Sequence, residues 1–205
     1  MQQKFLKKLP LSFYLRDDVL FIAKELLGKV LVTNYNNILT SGRIVETEAY
    51  KGETDKASHA SKGRTGRTEI MFAKGGHSYI YLCYGIHQMF NIVTNQEGFP
   101  DAILIRAVEP LEGIEQMLQR TGKTKVDKTL TSVPGNVGKA FGFHTSQTGQ
   151  SITGTEVYIA DDGFWIDESN IISSPRIGVA YAGEHAALHY RFYIKDNLYV
   201  SGKKN

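Results

Sequence analysis

Between Arg43 and Arg106 the sequence gathers the residue types that could do chemistry. Arg43-Ile44-Val45-Glu46-Thr47-Glu48-Ala49-Tyr50 reads as a strand. Side chains alternate faces along a strand, so Glu46, Glu48 and Tyr50 point the same way, together with Ile44, while Val45 and Thr47 take the other face. Two carboxylates beside an aromatic are costly in a core, and one pKa can rise. Taken alone, the segment also fits an edge strand with a solvated acidic face. His59 follows in a loop. It fits a hydrogen-bonded structural histidine or, with Glu46 and Glu48, a metal ligand set, although the sequence has no H-E-x-x-H and no His pair at ligand spacing. Lys62, Arg64, Arg67 and Lys74 lie on Gly/Ser/Thr-rich backbone, which suits phosphate contacts or a plain solvated loop. Tyr84 falls at a hairpin turn, where it could wedge between stacked bases or fold back on the core. Lys123, Lys125 and Lys128 form a second basic cluster against Asp127.

These groups need elements to position them. The helical spacing of Val19, Leu20, Ala23, Leu26 and Leu27 predicts a helix over Asp17–Leu27, closed by Gly28. Lys29–Tyr35 and Ser41–Ala49 read as strands of a hairpin about the turn Asn36-Asn37. Lys51–Gly76 reads as a long loop, a feature usually tied to function. Strands over Ser78–Cys83 and Gln88–Thr94 flank the turn Tyr84-Gly85, and Ala102–Val108 is a third apolar strand. A helix is predicted over Pro110–Arg120, with Pro110 in its first turn, and a short one over Val137–Phe141 before Gly142. Short strands at Glu156–Ala160, Phe164–Ile166 and Arg191–Ile194 complete an α+β pattern that no repeat or linker divides.

Composition sets the outer bounds. A chain of 205 residues, 41% hydrophobic and 22% charged, suits one domain with a real core and excludes disorder, collagen and coiled coil. Cys83 is the sole cysteine, which excludes an internal disulfide and a Cys-rich zinc site. A formal charge of +3 does not by itself predict nucleic-acid binding; the placement of charge must do so. Lys4, Lys7 and Lys8 precede no apolar signal region, and no run approaches the ~20 apolar residues of a membrane span. The expected compartment is the cytoplasm.

Motifs then join along the chain. They are Leu26-Leu27-Gly28-Lys29-Val30-Leu31-Val32, Gly42 to Tyr50, Ala57-Ser58-His59, Met71-Phe72 and Tyr79-Ile80-Tyr81-Leu82-Cys83-Tyr84-Gly85. Asn91-Ile92-Val93, Leu104 to Gly113, Pro134-Gly135 with Gly138-Lys139-Ala140, and Pro175-Arg176-Ile177-Gly178-Val179 follow. In this order and spacing, from about Leu11 to Ser201, the sequence resembles the alkyladenine (3-methyladenine) DNA glycosylase family. The resemblance implies a single compact mixed α/β domain over residues 11–201, between tails at 1–10 and 202–205. A curved, mainly antiparallel sheet, flanking helices and a protruding β-hairpin are expected.

It also implies a monofunctional enzyme of base excision repair. Such an enzyme flips alkylated or deaminated purines (3-methyladenine, 7-methylguanine, hypoxanthine, ethenoadenine) from double-stranded DNA and hydrolyses the N-glycosidic bond, leaving an abasic site. By the same resemblance Glu48 matches the general base that activates water, and Arg106 a residue on the water and phosphate side. Tyr50 and His59 match the walls that sandwich the base, Tyr81 a third aromatic, and Asn91 a residue that helps exclude unmodified guanine. Tyr84 matches the side chain that fills the vacated gap. Arg64, Arg67 and Lys139 face the DNA backbone, and Ile177 is an apolar position near the catalytic face. No cofactor, metal or strand-cleaving lyase step is expected, and the enzyme is expected to act as a monomer, associated with the nucleoid through DNA.

Elementary chemistry agrees with these roles. Glycosidic cleavage passes through an oxocarbenium-like state, which a carboxylate stabilises while it deprotonates water. A cationic alkylated purine stacks on electron-rich rings with a preference of roughly 0.5–2 kcal/mol. Two departures stand out. Thr65-Gly66-Arg67-Thr68 replaces the T-P-R-N of many relatives, which predicts a more flexible loop. Val133-Pro134-Gly135-Asn136 replaces G-P-G-K, which removes a backbone-contacting cation and predicts weaker non-specific DNA affinity. His87, after the hairpin turn, is placed to tune lesion choice. The competing readings are a binding module for distorted nucleic acid and a metal-dependent hydrolase built on Glu46, Glu48 and His59. The small net charge then reads as an acidic pocket offset by a basic rim, and predicts modest, salt-sensitive DNA binding.

Overall fold

A computed structural model describes residues 6–202, and its longest strand organises the rest. That strand, β3 (Ile38–Tyr50), follows β2 (Val30–Tyr35) through Asn36 and Asn37, both at positive φ. Asparagine tolerates this conformation, and the turn's twist matches that of the flanking strands. One edge of β3 is shared by β2 and, over Glu46–Glu48, by β9 (Arg191–Ile194). The other edge pairs with β6 (Asp101–Glu112). With β1 (Lys7–Lys8), β7 (Val157–Asp161), β5 (His87–Thr94) and β4 (His77–Cys83), the order is β1-β7-β2-β3-β6-β5-β4. A further strand, β8 (Ile171–Ser174), pairs with β9, and every pairing is antiparallel. The sheet curls into a half-barrel, as expected of one α+β domain.

The main core lies under this sheet. Helix α2 (Val19–Glu25), which follows the short α1 (Leu11–Tyr14), is capped by the Asp18 carboxylate, which accepts the Leu20 and Phe21 N–H groups at 3.0 Å. Such a cap contributes about 1 kcal/mol. Val19, Ile22, Ala23 and Leu26 bury against Ile44, Ile103, Ile105 and Phe192. Helix α4 (Pro134–Phe141) adds Val137, Ala140 and Phe141 to the same core. It lies so close to β5 that a Cβ on Gly138 would meet the Gln88 carbonyl oxygen at 1.9 Å, so only glycine fits. No helix among the described residues is long and apolar enough to cross a membrane.

The structure revises three local expectations. The strand predicted to end at Val108 runs to Glu112, and helix α3 spans Ile114–Thr121, not Pro110–Arg120. Pro110 opposes Gly42 beside a register shift, where its missing N–H is tolerated, and Gly113 in the left-handed region turns the chain. Phe164–Ile166 forms no strand. Asp161 and Asp162 accept the Gly163 and Phe164 N–H groups in local turns, and Phe164 stacks on the Arg43 guanidinium. The Thr65–Thr68 turn, expected to be flexible, is closed by hydrogen bonds. Thr65 N–H donates to Thr68 Oγ1 at 2.8 Å, and Thr68 N–H to the Thr65 carbonyl at 3.0 Å.

Val133 precedes α4 at φ +67° and ψ 142°. A β-branched residue there is a genuine outlier, with strain of order 1–3 kcal/mol. Val133 is already 42% exposed, so little burial is at stake. Val133→Gly is expected to stabilise the fold by about 1 kcal/mol, after the entropy that glycine adds to the unfolded chain. The urea midpoint should rise; a fall would show that this backbone is relaxed with valine.

Candidate active site

Strand register assembles the site. Glu48 opposes Leu104, Leu104 opposes Asn91, and Asn91 opposes Tyr79, so one cross-strand row runs from β3 to β4. Directly opposed residues share a face. Tyr50 and Tyr81, two positions from Glu48 and Tyr79, extend that face. Beside it lies a small, partly open cavity. Tyr50, His59, Tyr79, Tyr81 and Asn91 line it, together with Met71, Ala102, Ala57 and Tyr181.

The wall is preorganised. His59 and Tyr81 meet edge to face with centroids 4.6 Å apart. His59 Nδ1 lies 2.8 Å from Tyr79 Oη, and Arg67 Nη2 lies 3.4 Å from His59 Nε2. Arginine can only donate, so Nε2 accepts and Nδ1–H donates to Tyr79. Burial, followed by the charge of Arg67, pushes the His59 pKa down to about 4, so the ring is neutral at physiological pH. Arg67 also stacks over Tyr81 at 5.0 Å, outside the cavity lining, and so backs two of its wall residues. Asn91 Nδ2 donates to the Tyr79 and Met89 carbonyls, leaving its side-chain carbonyl as the group available to a ligand.

Glu46 and Glu48 are fully buried in a central strand, so the solvated edge-strand reading does not hold. Ile44 does not share their face. Register shifts on either side of Glu46 leave Val45 and Arg106 as extra residues in their strands. Such bulges break the alternation. Ile44 therefore enters the main core, and Val45 joins Ala107, Tyr193 and Val200. The bulge also aims Arg106 between the carboxylates. Its Nε donates to Glu46 at 2.8 Å, and its Nη1 lies 3.1 Å from Glu48 Oε1. Burial opposes its charge, but the two carboxylates outweigh that cost and raise its pKa.

Glu48 has two other partners. Oε1 accepts the Ile177 N–H at 2.8 Å, and Oε2 accepts the Tyr50 hydroxyl at 2.8 Å. Burial, reinforced by Glu48, raises the Tyr50 pKa, so the phenol stays protonated and donates. Glu48 stands one hydrogen bond behind the cavity wall and is not itself part of it. Glu46 faces away from His59, toward Arg106, Arg191 and Ser201. Among the described residues no three His, Cys, Asp or Glu side chains gather to hold a metal ion, so the Glu46–Glu48–His59 ligand set does not form.

The hairpin tip is set apart from all this. Tyr84 takes φ +51° and is 91% exposed, flanked by exposed Leu82 and Ile86. A non-glycine residue at positive φ is uncommon, and the fold gains nothing from burying this ring. The reading in which Tyr84 folds back on the core therefore fails. Arg64 is exposed, stacks on Phe72 and pairs with Glu69 at 3.2 Å. Lys139 is exposed on α4, with its Nζ 3.3 Å from the Thr121 carbonyl.

Residues 12–198 match the methylpurine-DNA glycosylase family. The chain belongs to that family. It is 42% identical over 206 residues to a protein of Desulfitobacterium hafniense, covering 97% of this chain and 100% of the relative. It is 45% identical over 203 residues to one from Clostridium acetobutylicum, covering 95% and 97%. A protein of Methanocella arvoryzae is 43% identical over 193 residues, covering 94% and 95%. All three bear the name "Putative 3-methyladenine DNA glycosylase".

In this methylpurine-DNA glycosylase family member, the candidate site also holds groups that sequence reading passed over. Arg191 Nε donates to Glu46 at 2.7 Å, and Ser201 N–H donates to Glu46 Oε2 at 2.6 Å. Arg176 is held by Asp55 through both amino groups and stacks on Tyr50 at 4.8 Å. A charged residue in the otherwise apolar run Arg191-Phe192-Tyr193-Ile194 was the available signal for Arg191. The presumed acidic pocket is thereby balanced: two buried carboxylates face two buried guanidinium groups.

Proposed function

We propose that the chain is a monofunctional DNA glycosylase that extrudes alkylated or deaminated purines from duplex DNA and hydrolyses their N-glycosidic bond. Family membership supports the class of reaction. The observation that carries the rest is an aromatic-lined cavity joined by one hydrogen bond to a fully buried carboxylate: Tyr50 is both a wall and the donor to Glu48. In this reading Tyr84 enters the duplex where the nucleotide leaves, and the base enters between Tyr50 and the His59–Tyr81 wall. Neutral His59 adds no positive charge to repel a cationic purine.

Chemistry then needs a base and stabilisation of positive charge. Water bonds to the anomeric carbon and gives its proton to Glu48, the carbon–nitrogen bond breaks, and its electron pair departs with the purine. Arg106 and the Ile177 N–H hold the carboxylate in place. The protein acts as a monomer on DNA, within the cytoplasm. The test is release of free base from duplexes carrying 3-methyladenine, 7-methylguanine, hypoxanthine or ethenoadenine, against undamaged controls. Expected are free base and an abasic site that stays uncut until alkali is added. Tight lesion binding with no base released would leave a recognition module instead.

A further inference from the structure

Tyr181 is the exposed member of the cavity wall. The other lining side chains are buried or half-buried, whereas 69% of Tyr181 is open to solvent. It projects from the turn Ala180–Ala187 and has no core to serve, yet it is fixed. Its hydroxyl donates to the Ala57 carbonyl at 2.9 Å, and Ala57 is itself a lining residue. The turn is fastened to the segment after Tyr50. Arg176, bound to Asp55, also donates to the His185 carbonyl at 3.2 Å. The Lys56 N–H donates to His185 Nδ1 at 3.2 Å, and Lys56 Nζ pairs with Glu184 at 2.6 Å. The ring therefore stands at the mouth before any ligand arrives, which lowers the ordering cost of binding.

We infer that Tyr181 is a specificity-determining residue of the pocket, whose ring covers the outer edge of an extruded purine. Two observations favour the base over the DNA backbone. Its hydroxyl, the group that would donate to a phosphate, is already committed to Ala57. The ring lines the same cavity as Tyr50 and His59, so what it offers is apolar, aromatic surface to a flat heterocycle. The inference rests on the glycosylase reading.

The experiment compares wild type, Tyr181→Ala and Tyr181→Phe on an ethenoadenine duplex and on a duplex whose lesion is a tetrahydrofuran, which has no base. In single-turnover base release, Tyr181→Ala should raise the half-saturating protein concentration about tenfold, the scale of one base–aromatic contact, with a smaller change in maximal rate. Affinity for the tetrahydrofuran duplex should stay within about twofold of wild type. Tyr181→Phe, which keeps the ring, should restore most of the loss and guards against a folding defect. Unchanged half-saturation, or an equal loss on the tetrahydrofuran duplex, overturns the inference. Absence of base release from wild type sinks the glycosylase reading separately. In that event direct binding to the two duplexes decides the role of Tyr181.

Discussion

Glu48→Gln is expected to lower single-turnover excision by about a thousandfold or more, since general-base catalysis alone supplies 10²–10⁴ and the charge is lost with it. Lesion-duplex affinity should stay within a few-fold of wild type. The substitution is gentle because the glutamine oxygen can still accept from Ile177 N–H and Arg106, while its NH₂ can donate to the Tyr50 oxygen. An ionised carboxylate has about four acceptor sites. Ile177, Arg106 and Tyr50 occupy three, which leaves one for water. A contrary role is visible in the same geometry. A carboxylate that merely organises Tyr50, Arg106 and the Ile177 N–H would be replaced by glutamine almost without loss. Excision within tenfold of wild type would therefore assign Glu48 to the scaffold.

The parts of this site that were legible in the sequence are those set by local rules. Alternation put Glu48 and Tyr50 on one face, and that face is the one the pocket uses. The turn chemistry of Tyr84-Gly85 put an aromatic at a hairpin tip, where it is exposed. The order of motifs identified the family. What stayed hidden depends on chain segments distant in sequence. The bulges at Val45 and Arg106 exist only because β3 and β6 pair out of strict register, so a period-2 reading misplaced Ile44. Pro110 read as a helix start because local preference cannot see that β3 supplies a strand partner through Ser41. The charges of Arg176 and Arg191 read as isolated until the fold brought them to Asp55 and Glu46.

That pairing also changes the electrostatic account. The expected division was an acidic pocket and a basic rim. The buried carboxylates are instead neutralised one for one by Arg106 and Arg191, so the site presents no net negative charge before substrate arrives. Under the proposed function, selection for a cationic base then rests on the aromatic faces and on a neutral His59. The cation–π preference for such a base is only about 0.5–2 kcal/mol, which leaves room for neutral lesions to compete.

Glu46→Ala, two residues from Glu48 on the same face, is expected to destabilise the fold by about 3–5 kcal/mol, the scale for breaking a buried ion pair from one side. Glu46 Oε1 accepts from Arg106 Nε at 2.8 Å, Arg191 Nε at 2.7 Å and Ser201 Oγ at 2.9 Å. Its Oε2 accepts the Ser201 N–H at 2.6 Å. Removing it leaves the buried Arg191 guanidinium without its carboxylate partner and strips the Ser201 N–H of its acceptor. Arg191 retains the Ser174 hydroxyl and the Ser201 carbonyl, and Arg106 retains Glu48, so the cost stays below that of a bare buried charge. Glu46→Gln, which keeps an acceptor but no charge, should fall between alanine and wild type. Urea unfolding measures all three. A loss below about 1 kcal/mol for alanine would mean that water replaces the carboxylate between the two arginines. The two glutamates of one strand face would then part by opposite signatures: Glu48→Gln loses excision and keeps its stability, while Glu46→Ala loses stability first.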